Sequence, residues 1–387
     1  MKNIFTRITC LAIVITAFTY VNPIKAQTIF TFAGTGVSGS TGDGGAATAA
    51  LIASSFGTAV DASGNVYIAD IVNNTVRKVS PTGIITLFAG TTGVASSTGD
   101  GGNATAATLN NPHGVAVDGS GNVFISEYSG NRIRKVNSSG IISTFAVGGI
   151  TAPSGLCVDG AGNLYIANQG NFKVTKVTPA GVKTTYAGTG SSGYAGDGGP
   201  ATAADLAGVT GVAMDPFGNL YIATYDDPHI RVVDFAGNIN TFAGNGTVGF
   251  GGDGGAALSA SFSEPYGCAV DRAGNVYVAD PTDRRIRKID IATGNISTIV
   301  GTGLSPYNGD NIAATAANVN PNHVIVAPSG DLYITDDFRI RVVSNCTGAP
   351  GVSPISGFLT VCESATIFLS DTAHGGAWSS SNSGVAS

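Results

Sequence analysis

Six copies of one ten-residue segment constrain this chain more than any other feature: DASGNVYIAD from Asp61, DGSGNVFISE from Asp118, DGAGNLYIAN from Asp159, DPFGNLYIAT from Asp215, DRAGNVYVAD from Asp271 and APSGDLYITD from Ala327. Their starts lie 57, 41, 56, 56 and 56 residues apart. Each copy follows a short apolar run such as HGVAV and precedes an alternating run such as NRIRKV and a further one such as IISTFA. Gly, Asn and Pro punctuate these runs, so each unit reads as four short strands joined by tight turns. A unit that small cannot bury a core alone and is stable only when stacked on its neighbours. Four antiparallel strands repeated at a period of about 40 residues, with a variable insert, describe the blade of a β-propeller.

The ends of the array fix the count. The sixth copy has three strands, ending in FRIRVVS at Ser344, and no fourth. TIFTFAG, residues 28–34, carries the fourth-strand pattern of LFAG, YAG and TFAG but precedes the first copy. Borrowing it for the last blade closes the ring and removes the open edges that invite aggregation. Residues 27–345 therefore read as an all-β, six-bladed β-propeller closed by the N-terminal strand.

Three G-x-G-x-x-G spacings, at Gly34, Gly36 and Gly39, at Gly188, Gly190 and Gly193, and at Gly244, Gly246 and Gly249, raise the question of a dinucleotide loop. That loop needs a strand before it and a helix after it within a βαβ unit. Here each lies between the fourth strand of one blade and the first strand of the next, so all three are connections and no nucleotide site is expected. The repeats resemble NHL repeats, and the copies with inserts such as AGTGSSGYAGDGGPATAA are similar to teneurin-type NHL propellers of secreted bacterial proteins. The resemblance implies a six-bladed propeller. It implies little about activity, because relatives of this fold include ligand platforms, adhesion modules and metal-dependent lyases or lactonases.

Residues 1–26 read as a signal peptide, with Lys2 and Arg7 before an apolar run from Ile8 to Val21 and the small Ala26 at the cleavage point. The run is shorter than the roughly 20 residues of a spanning helix. The expectation is an exported chain, secreted or displayed at the cell surface, with no transmembrane segment after cleavage. Residues 346–357 read as a linker, and 358–387 resemble the opening of a bacterial Ig-like domain, with Trp378 in a WSSS stretch. That segment is too short for a two-sheet sandwich of about 100 residues and is read as an incomplete Ig-like domain. Cys157 and Cys268 sit in equivalent strands at adjacent register, which points them to opposite faces and predicts two small buried residues and no bond. Pairing of Cys346 with Cys362 is left open.

Charged residues make up 11% of the chain and the net charge is −6. A nucleic-acid partner is excluded on that balance, since such proteins usually present a basic face. Acidic side chains instead gather where inserts and second strands meet. The second strands end in Asp70, Glu127, Asn168, Thr224, Asp280 and Asp336, and the inserts add Asp43, Asp100, Asp197, Asp253 and Asp310. Oxygen-rich clusters suit calcium, which makes the five insert aspartates candidate ligands and calcium the candidate cofactor. The competing reading has such residues closing turns or pairing with Arg132, Arg134 or Arg287. Five long inserts are expected to crown one face. The junction FAVGGITAP, residues 145–153, carries none, which predicts a notch near Glu127, Tyr128, Asn168, Gln169 and Phe172.

At the channel mouth the residues just before the first strands are Phe56, His113, Ser154, Thr210, Tyr266 and Asn322. Only His113 among them is a strong metal ligand, His229 and His323 are not at equivalent positions, and no metalloprotease or nucleophile-elbow motif occurs. No catalytic residue is assigned. A metal-dependent lyase or lactonase site at the channel is the alternative that the resemblance allows. The sequence points first to a recognition surface of His113, Glu127, Tyr128, Asn168, Phe172, Tyr225 and Tyr266, on which rigid amphipathic rings supply contact area for carbohydrate or extracellular protein.

Overall fold

A computed structural model describes residues 27–344. The expected signal peptide, linker and Ig-like segment, together with Cys346 and Cys362, lie outside the described residues.

Five four-stranded sheets follow one another in chain order. Blade 1 comprises Ser55–Val60, Val66–Asp70, Thr75–Val79 and Ile85–Ala89. Blade 2 comprises Pro112–Val117, Val123–Glu127, Arg132–Val136 and Ile142–Val147. Blade 3 runs through Pro153–Val158, Leu164–Asn168, Lys173–Val177 and Lys183–Ala187. Blade 4 runs through Val209–Met214, Leu220–Thr224, His229–Val233 and Ile239–Ala243. Blade 5 comprises Gly267–Val270, Val276–Asp280, Arg285–Ile289 and Ile296–Val300. In blade 6, Pro321–Val326, Leu332–Asp336 and Arg339–Val343 are completed by the N-terminal Thr28–Ala33, which pairs antiparallel with Arg339–Val343. The first strands touch their neighbours in an unbroken cycle, with that of blade 6 meeting that of blade 1. The six-bladed, self-closed propeller is the fold the repeat predicts.

The repeated D-x-x-G-N element explains itself at the lower hairpins. Asp61 accepts from the Ser63 and Asn65 amides, both at 2.9 Å, from Asn65 Nδ2 at 2.7 Å and from the Tyr67 hydroxyl at 3.1 Å. Burial alone would raise its pKa, but these hydrogen bonds outweigh it and hold the carboxyl below the usual range. The same Asx turn recurs at Asp118, Asp159, Asp215 and Asp271.

The third residue of the first strand is Gly57, Gly114, Gly155 and Gly211 in blades 1 to 4, and the equivalent Gly267 opens the shorter first strand of blade 5. These strands crowd the axis. A Cβ at Gly114 would lie 2.3 Å from the Ser154 carbonyl of the next blade, and one at Gly155 would lie 2.6 Å from that of Thr210. Blade 6 places His323 at this position, and its ring fills the axis beside Gly267.

The inserts do more than crown a face, and this corrects the expectation. Each makes one 3-10 turn, as at Ala47–Ala49, and then sends apolar side chains between two blades. Ala47, Ala50 and Ile52 share a core with Ala33 and Ile340 of blade 6 and with Val66, Ile68 and Ile85 of blade 1. Backbone bridges from Ala46 to Ile84, Asn103 to Ile141, Pro200 to Asn238 and Ala256 to Asn295 carry the inserts down to the start of the following fourth strand. They are wedges in the gaps that open between radiating blades. The fourth strands answer in kind: Ile29, Ile85, Ile142, Ile239 and Ile296 are buried under inserts, whereas the uninserted blade 3 has the exposed Lys183 there. Lys183 Nζ donates to the carbonyls of Val147 and Gly148 at the bare junction.

Cys157 and Cys268 are free, as their register predicts, but only Cys268 is fully buried and Cys157 is partly so. Burial pushes both thiols up, that of Cys268 to about 12.

Candidate functional site

The five insert aspartates do not converge. Each is held by a buried arginine at the centre of the third strand of its own blade. Arg77 reaches Asp43 at 2.8 Å, Arg134 reaches Asp100 at 2.7 Å, Arg287 reaches Asp253 at 2.7 Å, Arg341 reaches Asp310 at 3.0 Å, and Arg231 pairs with Asp197. The same guanidinium groups donate to insert carbonyls, Arg77 to Leu51 at 2.7 Å and Arg287 to Ser261 at 2.7 Å and Gly251 at 2.8 Å. Blade 3, which has no insert, has Thr175 in place of the arginine. These carboxylates are therefore clamps for the inserts. The residues do not fit a calcium ion, because each carboxylate is engaged with arginine on a separate blade, and no group of three potential ligands forms among the described residues.

The ends of the second strands lie beneath the surface, which removes two residues from the expected recognition set. Glu127 is fully buried, accepts from the Asn110 amide at 3.0 Å and sits 3.4 Å from Arg134. Asn168 is equally buried; it accepts from the Thr151 amide at 2.7 Å and donates to the Gly149 carbonyl at 2.8 Å. Both side chains cap the backbone of the preceding connection, so neither is open to a ligand. Asp70 and Asp280 do the same work at a greater electrostatic cost: burial lifts Asp70 to about 7, and burial with the nearby Asp283 lifts Asp280 to about 6. Phe172 is half-buried in the upper hairpin of blade 3 with φ of 52°, and its ring joins none of the aromatic contacts at the mouth.

Four of the expected residues do come together. His113 stacks on Tyr128 with centroids 4.4 Å apart, and Tyr225 lies 5.6 Å from Tyr266. Phe56 joins them across the channel, 5.2 Å from His113, 5.1 Å from Tyr266 and 5.6 Å from His323. Phe56, His113 and His323 occupy the second or third positions of first strands, Tyr266 directly precedes one, and Tyr128 and Tyr225 follow second strands, so the repeat aims them all at the axis. Phe56 is 3% exposed and sits as a plug between these rings. Burial raises the phenols of Tyr225 and Tyr266, the latter to about 12, with neighbouring phenols and Asp226 adding to the effect. A cavity of about 570 Å³ opens beside the plug, lined by residues of blades 1, 5 and 6 and by His113.

Burial holds both His113 and His323 down to about 4. An unfolded histidine binds its proton near pH 6.5 and these folded ones only near pH 4, so acidification through that window favours unfolding. The stability tied to each neutral ring is complete above about pH 6.5 and is lost as pH falls toward 4, up to about 3 kcal/mol per histidine. Asp70 and Asp280 act in the opposite sense. The effect is therefore read as a difference: His323→Gln is expected to flatten the fall in stability between pH 6.5 and 4 relative to the wild type. Histidine NMR resonances of His113 and His323 should stay at their neutral positions at pH 5.5; titration near 6.5 would contradict their burial.

Sequence reasoning missed His323, Ser55, Glu264 and Arg284 at this site. His323 and Ser55 had a signal, since they replace the Gly and the Pro or Val of the sister strands. Arg284 had one too, since it stands where two sister turns carry Asn74 and Asn131, whereas Glu264 had none.

Residues 93–149 and 248–306 match the teneurin NHL domain. The human NHL repeat-containing protein 2 is 27% identical over 163 residues, which cover 39% of this chain and 22% of that protein. Mouse teneurin-4 is 36% identical over 94 residues, 21% of this chain and 3% of the relative. The chain thus spans about a fifth of the first relative's length and a small fraction of the second's. An auxiliary nutrient binding protein from Bacteroides thetaiotaomicron is similar in structure, with a TM-score of 0.61 at 14% identity over 82% of this chain and 76% of that one. A protein of unknown function from the same bacterium gives 0.60 at 17% identity with the same coverage of each chain. A gluconolactonase from Xanthomonas campestris gives 0.54 at 15% identity over 82% of this chain and 89% of its own. At these identities the structural likeness establishes the fold alone.

Proposed function

The chain belongs to the NHL-repeat family, and from that premise we propose that its propeller is an exported binding module whose channel mouth recognises carbohydrate. The observation that carries this reading is the convergence of His113, Tyr128, Tyr225, Tyr266 and Phe56 around the mouth, beside a cavity of about 570 Å³. The half-exposed rings of His113, Tyr128, Tyr225 and Tyr266 on a rigid scaffold offer stacking faces that lose little entropy on binding. A polar rim beside them supplies orientation, as small-molecule sites usually require. An extracellular protein ligand would use the same rings. The lyase or lactonase alternative needs several ligands converging on a metal, and the histidines of this mouth, His113 and His323, instead pack against the Phe56 ring.

The test is a glycan-array screen of the full chain followed by titration calorimetry. Tyr128→Ala and Tyr225→Ala are each expected to weaken the strongest glycan 10-fold or more while leaving the melting temperature within a few degrees, in the range of interface hot spots. Unchanged affinity in both variants, or binding of a protein ligand with no glycan binding, would remove the carbohydrate reading.

A further inference from the structure

We propose that the cavity between blades 5, 6 and 1 is a subsite for one uncharged pyranose ring, held across adjacent hydroxyls by Arg284 and Glu264; this deepens the carbohydrate reading of the mouth and rests on it. The cavity of about 570 Å³ falls within the roughly 300–1,000 Å³ of small-molecule sites. Phe56 and Tyr266, edge to face at 5.1 Å, form its apolar floor.

Its walls carry polar groups left unmatched by the protein. Ser55 is fully buried and lines the cavity, and its Oγ has no hydrogen-bond partner among the described residues. The Nδ1 atom of His113 is in the same position. Buried polar atoms are nearly always paired, so two orphans on residues lining one cavity point to a ligand that pairs them. Burial keeps His113 neutral at physiological pH, with its pKa at about 4, which leaves one ring nitrogen able to accept a hydrogen bond.

Arg284 supplies the second observation. It occupies the left-handed position of the upper hairpin, φ of 52°, where the sister turns use Asn74, Asn131, Asp337 and, in blade 3, Phe172. Short polar side chains adopt that conformation more readily than long ones. Its guanidinium makes no side-chain hydrogen bond or ion pair among the described residues, whereas the adjacent Arg285 donates to the carbonyls of Asp283 and Thr302. Arg284 lines the cavity, and strained backbone of this kind clusters at ligand-binding positions. Glu264 lines the same cavity, its carboxylate accepting from the Thr282 hydroxyl at 2.6 Å.

The donor fork and the carboxylate acceptor thus share one cavity without forming an ion pair. Each hydroxyl of a sugar both donates and accepts, so neighbouring hydroxyls can bridge such a pair. The two charges cancel, which disfavours charged ligands: a uronic acid would meet Glu264, and an amino sugar would meet Arg284.

The experiment is titration calorimetry of the full chain with matched short oligosaccharides made of neutral hexoses, uronic acids or amino sugars. Variants are Arg284→Ala, Glu264→Ala and Tyr128→Ala, each checked for its melting temperature. Neutral oligosaccharide is expected to bind at least 10-fold more tightly than either charged form, and Arg284→Ala and Glu264→Ala are each expected to weaken it at least 10-fold. Tight neutral binding that survives both of those changes and fails in Tyr128→Ala would overturn the subsite and leave the mouth reading standing. Preference for the uronic acid or the amino sugar would also overturn it. Failure of the wild type to bind any of the three would remove the carbohydrate reading and the subsite with it.

Discussion

Arg287→Ala is expected to lower the unfolding free energy by about 3 kcal/mol, near the foot of the range for breaking a buried ion pair. Arg287 is fully buried and donates twice to Asp253 Oδ1, at 3.0 and 2.7 Å, as well as to the Ser261 and Gly251 carbonyls. Its guanidinium also lies 5.0 Å from the Phe262 ring centroid. Removing it strands two insert carbonyls, leaves the Asp253 carboxylate with the Thr298 amide but without its cation, and opens a void between blades. Asp253 is 30% exposed, so water can reach its charge, and this keeps the loss toward the lower end. Arg287→Lys should lose less, since an ammonium keeps the charge but cannot supply the planar fork. Thr175→Val, at the equivalent position of the uninserted blade, should cost about 1 kcal/mol for its single hydrogen bond from Asn168. Urea denaturation of the three variants gives the ranking. A loss below about 1 kcal/mol for Arg287→Ala would show that the inserts stand without their clamp.

Deleting Thr28–Ala33 should do more damage than any of these substitutions. The strand pairs Ile29 with Val343, Phe30 with Val342 and Thr31 with Arg341, and it places Ile29 and Ala33 in the core at 0% exposure. Burying one isoleucine contributes about 1.5–3 kcal/mol. Phe32 adds an edge contact with Tyr333 at 4.9 Å, of the order of 1 kcal/mol. The deletion forfeits these terms together, leaves Arg339–Val343 as a bare edge and opens the ring. The expected result is a shortened chain that aggregates on size exclusion and lacks a cooperative thermal transition. A monomeric shortened chain with a wild-type midpoint would show that closure by the N-terminal strand contributes nothing.

The blade count and the closing strand were legible because both rest on alternation and turn chemistry, which act locally. The clamps were legible in principle: Arg77, Arg134, Arg231, Arg287 and Arg341 occur only in blades that follow an insert, and Thr175 and Lys183 mark the one that does not. That pattern appears only when one repeat is compared with another. His113, Tyr128, Tyr225 and Tyr266 could be placed at the mouth because the repeat fixes where their strands begin and end. Glu127 and Asn168 could not be recognised as buried, since their partners are the backbone amides of Asn110 and Thr151 in connections whose path the sequence leaves open. Glu264 was invisible for a simpler reason: a single turn residue has no periodicity to betray its direction, whereas Arg284 departs from Asn74 and Asn131 of the sister turns.

The measurement closest to the central claim is a hydrogen-exchange footprint of the full chain with and without its tightest glycan. Binding at the mouth predicts slower exchange in residues 54–57, 111–114, 225–227, 264–267 and 320–323, which meet around Phe56, with the lower hairpins at Asp61, Asp118, Asp159 and Asp215 unchanged. Protection confined to those lower hairpins, or to the insert wedges, would place recognition elsewhere on the propeller and contradict the account.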